Sequence, residues 1–271
     1  MELLIRFYRR CNLLSLDVAA GAVICALYFS KLVALSPRVQ GMLALGFSVW
    51  VIYTVDRLLD VRRMTNAAAS ERHQFHQQYQ KPLWVFSILT ALAAVSLVYF
   101  LRPQVLVGGI ILSLAAGLYL IFQKYLKLKE FFVAGIYTAG VLLPSITVVS
   151  NKFSYVEYLL IAQLFMVALT NLLIFSWFEH DADKQDGHIS FPIRFGKSIT
   201  EKWLVMLSVI NFLIAGWLIT QTGVALPSIL FISMTMVLLA VYLFPVYFQV
   251  NVRYRLLGDA VFFIPVIGLL L

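Results

Sequence analysis

Apolar positions along this chain neither alternate nor recur as a helical stripe; they run in long unbroken blocks. A bilayer crossing takes roughly 20 mostly apolar residues. Nine blocks approach that length: about 13–35, 39–57, 82–101, 104–123, 130–150, 155–178, 203–221, 225–247 and 255–271. Blocks that are apolar on every side predict helices surrounded by lipid or by other helices. Pro82, Pro103 and Pro227 fall near block starts, where a missing amide N–H costs little. Pro144, Pro245 and Pro265 fall inside blocks and predict kinks. The longest polar breaks are about 58–81 and 179–202, and no low-complexity stretch or linker separates the blocks. We therefore expect one domain over 1–271: an all-α polytopic membrane protein with nine transmembrane helices around a central cavity.

Composition agrees with the pattern. Hydrophobic residues make up 62% and charged residues 13%, against roughly 45–50% and 25% in soluble domains. A net charge of +8 invites a nucleic-acid reading, but the position of the charges argues otherwise. With the N-terminus in the cytoplasm, 17 of the 21 lysines and arginines fall on that side, leaving Lys31, Arg38, Arg102 and Lys152 opposite. That loop-by-loop bias is the positive-inside pattern. It predicts a multi-pass integral membrane protein with a cytoplasmic N-terminus, both long loops cytoplasmic, and no nucleic-acid partner. Arg6, Arg9 and Arg10 precede an apolar block too long for a signal peptide, so we read that block as the first span. Cys11 and Cys25 have no metal-type spacing and read as small apolar residues.

The chemistry gathers at two block ends. Asp56 and Asp60 close the second block at i, i+4, on one helix face. Glu179 and Asp183 close the sixth with the same spacing, inside WFEHDADKQDGHISFPIRFG, which also holds Asp181 and Asp186. Carboxylates so crowded beside a membrane repel one another, and burying them unpaired costs several kcal/mol, at a rough estimate. A hard cation resolves this, and Mg²⁺ takes carboxylate and phosphate oxygens. By helix parity both pairs face the same side. Metals held between them across a cavity would bind a diphosphate and neutralise the leaving group. Continuing the Glu179 face upward reaches Phe175 and Asn171, two turns and about 12 Å away; we expect both to line the cavity, with Asn171 near the reacting carbon. Asp17 and Asp259 are further carboxylates within apolar blocks, and so candidate functional groups. All four histidines, His73, His76, His180 and His188, lie in the two long loops. A histidine metal site is conceivable, but the carboxylates favour Mg²⁺.

Asp-x-x-x-Asp at the end of a second helix, an acidic motif at the end of a sixth, and nine spans resemble the UbiA-type intramembrane prenyltransferases. Glu179-x-x-x-Asp183-x-x-x-Gly187, followed by Ser190, Pro192, Arg194 and Gly196, is similar to that family's second Asp-rich motif and its tail. GLYLIFQKYLKLKEFFVAGIYTAGVLLP resembles its fourth and fifth helices, with Tyr119 and Lys124 at the positions of a Tyr and a basic residue near the diphosphate. The chain departs from the family at Ile52, where Asn is usual, at Glu179, where Asp is usual, and in SERHQFHQQYQKP, which replaces Arg-Pro pairs.

The resemblance implies an enzyme that moves an isoprenyl group from a prenyl diphosphate to a lipophilic acceptor, an aromatic ring or quinone precursor. Asp56, Asp60, Glu179 and Asp183 would hold Mg²⁺. Lys124 and Tyr119 would act beside Asn171 in catalysis, and Arg57, Arg72, Lys184 and Arg194 would contact substrate. The active site would face the cytoplasm, and no protein partner is implied. Two other readings stand beside it: an ion-coupled transporter, and a prenyl-lipid-binding homologue without turnover, to which Ile52 points.

Overall fold

The computed structural model describes residues 2–62, 64, 67–123, 125–146, 153–221 and 223–271, with side chains from residue 5 onward and excepting residue 146. Among the described residues there are helices and no strands. The chain opens with α1 (Glu2–Leu13) and α2 (Leu16–Leu32), which meet at 86° across an elbow where Ser15 takes φ +57°. Two ties hold the elbow: Trp50 Nε1 donates to the Leu14 carbonyl at 2.7 Å, and Tyr8 Oη donates to the Leu256 carbonyl at 2.9 Å. The basic N-terminal segment therefore lies across the end of the bundle instead of leading straight into it.

Next come α3 (Val39–Arg62), the short α4 (Glu71–Gln78), α5 (Gln80–Ser96) with a 3-10 extension to Phe100, and α6 (Pro103–Phe122). Then follow α7 (Lys129–Ile146), α8 (Tyr155–Phe178), α9 (His180–Asp186) and α10 (Phe191–Phe195). α11 (Lys197–Ile219), α12 (Ala225–Leu243), α13 (Pro245–Gln249), α14 (Arg253–Ala260) and α15 (Val266–Leu270) complete the chain. Local chemistry sets several boundaries. Pro103 takes the first turn of α6, and Ser154 with Glu157 forms a capping box at the start of α8. Gly187 ends α9 at φ +71°, a left-handed cap that a β-carbon disfavours. Pro144 stays within α7, but at Pro245 and Pro265 the helices break outright where kinks were expected.

Among the described residues six helices are long and apolar enough to cross a membrane: α3, α5 with its extension, α6, α8, α11 and α12; the bent α1–α2 pair makes a seventh if it is one span. This is an integral membrane protein. The expected nine crossings are divided differently here, because α2 is short, α7 begins with Lys129 and Glu130, and the last block is broken between α14 and α15.

Two kinds of apolar helix result. On α8, Leu164, Val167, Leu169, Leu173 and Ile174 are buried, and the helix packs against α7, α11, α12 and α14 as the centre of the core. On α5 and α6, Phe86, Leu89, Leu92, Ile111, Leu114 and Leu118 are exposed. A surface so apolar suits lipid, which needs no polar face.

Candidate active site

Two cavities share a wall. The polar one encloses about 160 Å³ and draws on many helices: Asp56, Arg57 and Asp60 of α3, Arg72 and His73 of α4, Tyr119 of α6, and Lys129 and Glu130 of α7. α8 adds Asn171, Phe175 and Ser176; Glu179, Asp183, His188, Arg255 and Asp259 complete it. Both carboxylate pairs thus meet in one chamber. The i, i+4 relation of Glu179 and Asp183 survives the helix break after Phe178, because Asp183 N donates to the Glu179 carbonyl at 2.8 Å. The second cavity encloses about 470 Å³ between α3, α5, α6 and α7 and is lined almost wholly by apolar side chains, Ile52 among them. Tyr53, Asp56, Tyr119, Val133 and Tyr137 line both.

The two carboxylate pairs are not alike. Oδ1 of Asp56 is buried with no hydrogen-bond partner among the described residues. Glu179 is fully engaged: Arg255 grips both its oxygens through Nε and Nη2, and Tyr254 Oη donates to Oε1 at 2.8 Å. Although burial works against it, the Arg255 charge and hydrogen bonds hold the Glu179 carboxyl down at about 2. Burial, then the neighbouring Glu179, pushes Asp183 up. The expectation of Glu179 as a metal ligand thus meets a carboxylate whose oxygens already have partners. The orphaned Oδ1 of Asp56, in a chamber that Asp60 and Asp183 also line, is the kind of oxygen that a hard cation takes.

The cationic wall differs from the expected one. Arg57 and Arg72 are buried at the chamber. Arg57 donates to Ser15 at the α1–α2 elbow, and Arg72 donates to Asn12 Oδ1 at 3.2 Å and lies 3.6 Å from Asp259. Asn12 in turn donates to Asp17 and Asp259 at 2.5 and 2.8 Å. The two intramembrane carboxylates are therefore tied into a buried network that fixes Arg72, while Ser15 holds Arg57. Lys184 and Arg194 are exposed and do not line the chamber, since α9 and α10 present them outward. Lys124 lies outside the described residues. Lys129, five residues later, does line the chamber, and it was read from sequence only as a loop charge. Glu130 was also missed. Its Oε1 accepts from Ser176 Oγ at 3.0 Å and from Phe191 N at 2.8 Å, pinning the segment after α9 to α8.

Tyr119 is buried where the cavities join, with its hydroxyl 3.5 Å from Gln123 Oε1. Asn171 and Phe175 line the chamber as expected, but Asn171 also sits in a helix seam. A β-carbon on Gly258 would come within 2.5 Å of Asn171 Oδ1 and 2.6 Å of Phe175 Cε1, so only glycine lets α14 approach α8 this closely.

The second long loop is tied down over the chamber. Ser70 Oγ caps α4 by accepting from His73 N at 3.2 Å, and Ala69 N donates to Asp186 Oδ1 at 3.0 Å. His73 lands beside His188 with ring centroids 5.0 Å apart, and Asp60, His73 and His188 offer ligand atoms within 4.8 Å of one another. Burial, then the neighbouring His188, holds His73 down at about 3. His180 is instead beside the exposed Asp181 at 2.9 Å, and His76 is buried under α4.

No family model and no curated protein matches the sequence. Solved structures do match. A UbiA homolog from Archaeoglobus fulgidus bound to DMAPP and Mg²⁺ superposes with a TM-score of 0.64 at 14% identity, over 93% of this chain and 98% of that one. The same protein bound to GPP and Mg²⁺ gives 0.62 at 13% identity, over 96% and 99%. A digeranylgeranylglyceryl phosphate synthase gives 0.54 at 17% identity, over 99% of each chain. At these identities the likeness shows the fold: this chain is built as those UbiA homologues are, across nearly its full length.

Proposed function

We propose that this protein transfers an isoprenyl group from a prenyl diphosphate to a lipophilic acceptor inside the membrane, using Mg²⁺. One observation carries the reading. A small chamber of converging carboxylates and cations opens through a wall of three tyrosines into an apolar cavity about three times its size, 470 against 160 Å³. That is the shape of a charged head with a hydrocarbon tail. The fold neighbours with DMAPP, GPP and Mg²⁺ support it.

Asp56, Asp60 and Asp183 would hold the metal, and the partnerless oxygen of Asp56 is what makes the fit. Bound Mg²⁺ supplies charge neutralisation on the diphosphate leaving group. Arg57, Arg72 and Lys129 supply positive charge from the protein, Lys129 taking the part expected of Lys124. Glu179 holds Arg255 at the chamber wall. Tyr53, Tyr119 and Tyr137 stand where the diphosphate-bearing carbon enters the apolar cavity, and their ring faces suit a developing allylic cation. The apolar walls keep water from that cation. The acceptor, of aromatic or quinone-precursor type, would attack the carbon as the bond to the diphosphate oxygen breaks; the diphosphate leaves with the electron pair, and the proton displaced from the acceptor passes to a basic oxygen of the departing diphosphate.

For topology, α2, α7 and the broken α14–α15 segment would add three crossings to α3, α5, α6, α8, α11 and α12, giving nine. The distribution of basic residues supports a chamber that faces the cytoplasm. The clustering of carboxylates at one end, not at the bilayer midplane, speaks against an ion-coupled transporter. A binder without turnover is favoured by one feature: Ile52 presents an apolar side chain to the cavity where the family resemblance expects Asn.

The deciding experiment incubates purified protein with farnesyl or geranylgeranyl diphosphate and Mg²⁺. Pyrophosphate release that stops with chelator supports the enzyme. Tight Mg²⁺-dependent binding with no release, even with candidate acceptors present, supports the binder. No binding of either diphosphate overturns both.

A further inference from the structure

We propose that Asp60, His73 and His188 form a second divalent-metal site, one that takes a first-row transition ion such as Mn²⁺, Fe²⁺, Co²⁺ or Zn²⁺. The three residues come from three places in the chain: the end of α3, the first turn of α4, and the loop after α9. Their ligand atoms nonetheless lie within 4.8 Å of one another. A bound ion at about 2.1 Å from nitrogen or oxygen ligands needs its ligands somewhat closer than that, a contraction that side-chain rotation supplies.

Independent observations point to a ligand here. His73 Nδ1 and His188 Nε2 are both buried without a hydrogen-bond partner among the described residues. Two imidazoles with a buried nitrogen each, turned toward one carboxylate, leave polar atoms that packing alone does not satisfy. His73 Nδ1 also lies 3.6 Å from Asp186 Oδ2, and Asp186 is held in place by Ala69 N. At 3.6 Å that contact is too long for a hydrogen bond, so Nδ1 stays open while Asp186 adds negative charge that favours a cation beside it.

The donor set decides the class of ion. Mg²⁺ prefers oxygen ligands and retains water, whereas two imidazoles with one carboxylate suit first-row transition ions. Asp60 is the carboxylate shared with the chamber proposed for Mg²⁺. The histidine site would therefore lie against the diphosphate region and close α4 and the loop after α9 over it. It stands on its own geometry and does not require turnover.

The test uses the full-length protein, stripped of metal and titrated with Co²⁺ in saturating Mg²⁺. We expect one Co²⁺ per chain, with d–d absorption characteristic of nitrogen ligation. His73→Gln and His188→Gln should each weaken Co²⁺ binding by at least about tenfold, the loss that even an outer-shell partner produces. Pulsed EPR of Mn²⁺ bound to the unaltered protein reads coupling to histidine nitrogen directly, so the outcome does not depend on the variants folding. Absence of nitrogen coupling, or displacement of Co²⁺ by equimolar Mg²⁺, overturns the proposal. The outcomes separate this site from the proposed activity. Asp56→Asn should abolish prenyl diphosphate binding while leaving the Co²⁺ spectrum. Nitrogen-bound Co²⁺ in a protein that binds no prenyl diphosphate would retain this site and remove the activity. Mg²⁺-dependent turnover with no nitrogen-bound Co²⁺ would do the reverse.

Discussion

Asp56–Asp60 and Glu179–Asp183 are the same device by spacing: two carboxylates one turn apart at the end of an apolar helix. In the fold they reach the same chamber with different neighbours. Glu179 is clamped by Arg255 and Tyr254, while Asp56 keeps a buried oxygen without a hydrogen-bond partner. Spacing fixes where a carboxylate goes. What it is free to bind depends on side chains far along the chain, here 75 and 76 positions away. Asp56, the leading member of the first pair, keeps an open oxygen; the leading member of the second is part of the scaffold.

The largest expected effect breaks the chamber's ligand side. Asp56→Asn keeps the shape and removes the charge that a metal would meet. Mg²⁺-dependent pyrophosphate release should fall about 100-fold or more, about 2.7 kcal/mol of barrier. Melting temperature should hold or rise, because a crowded buried carboxylate is gone. Equal turnover by the variant would end the distinction between the pairs.

Next in size is Glu179→Gln. It leaves the Arg255 guanidinium in a pocket where both side chains are largely buried, 12% and 13% exposed. Breaking one side of such a pair costs on the order of 3 kcal/mol. We expect a lower denaturation midpoint in detergent, and partial recovery when Arg255→Met is added. If instead the protein stays as stable and loses Mg²⁺-dependent binding, Glu179 is a ligand and the comparison fails.

That contrast also marks what was legible in the sequence. Block lengths gave the helices, and the i, i+4 spacing gave the two carboxylate faces, because both are local properties of one element. Lys129 looked like an ordinary loop charge and Glu130 like the edge of an apolar block, since nothing in their own segment says that it folds under the chamber. Arg255 opened the last block with Asp259 as its acidic neighbour in sequence, so its pairing with Glu179 had no local signal. The amphipathic α1 was read only as a basic segment before the first span, because a left-handed Ser15 leaves no mark in an apolar pattern. The one available hint was Asn12: a polar residue flanking Asp17 at a block edge, which the fold uses to join Asp17 to Asp259.

Acidification sharpens the comparison, because the clamp and the cover over the chamber respond in different windows. His76, buried in α4, has Nδ1 2.8 Å from the Arg72 carbonyl; burial, then the Arg57 charge, holds it down at about 3 from an ordinary 6.5. Between those values the unfolded chain binds a proton that the folded chain refuses. Stability is therefore full above about pH 6.5 and falls as pH drops, by at most about 1.4 kcal/mol per unit. Glu179, held at about 2 against an ordinary 4.5, adds no slope above pH 4.5. Melting measured from pH 7 to 5.5 should therefore decline in the unaltered protein and decline less in His76→Asn. An identical slope in both would assign the acid sensitivity elsewhere.

The smallest effect separates the two halves of the clamp. Tyr254→Phe removes the 2.8 Å hydrogen bond to Glu179 Oε1 and nothing else of consequence. The ring keeps its stack on Phe178, with centroids 4.4 Å apart and planes within 5°. Glu179 keeps both contacts from Arg255, so its charge remains compensated. A hydrogen bond to a charged group is worth about 1.5–3 kcal/mol, and one among several to the same carboxylate belongs at the low end. The denaturation midpoint should therefore fall by a fraction of the Glu179→Gln loss. Turnover per folded molecule should not change, since Tyr254 stands behind the chamber wall and does not line it. A loss as large as that of Glu179→Gln would mean that the hydroxyl, not the guanidinium, holds the carboxylate. The contrast between the pairs would then rest on a hydroxyl donor, and Arg255 would be a cation available to the diphosphate.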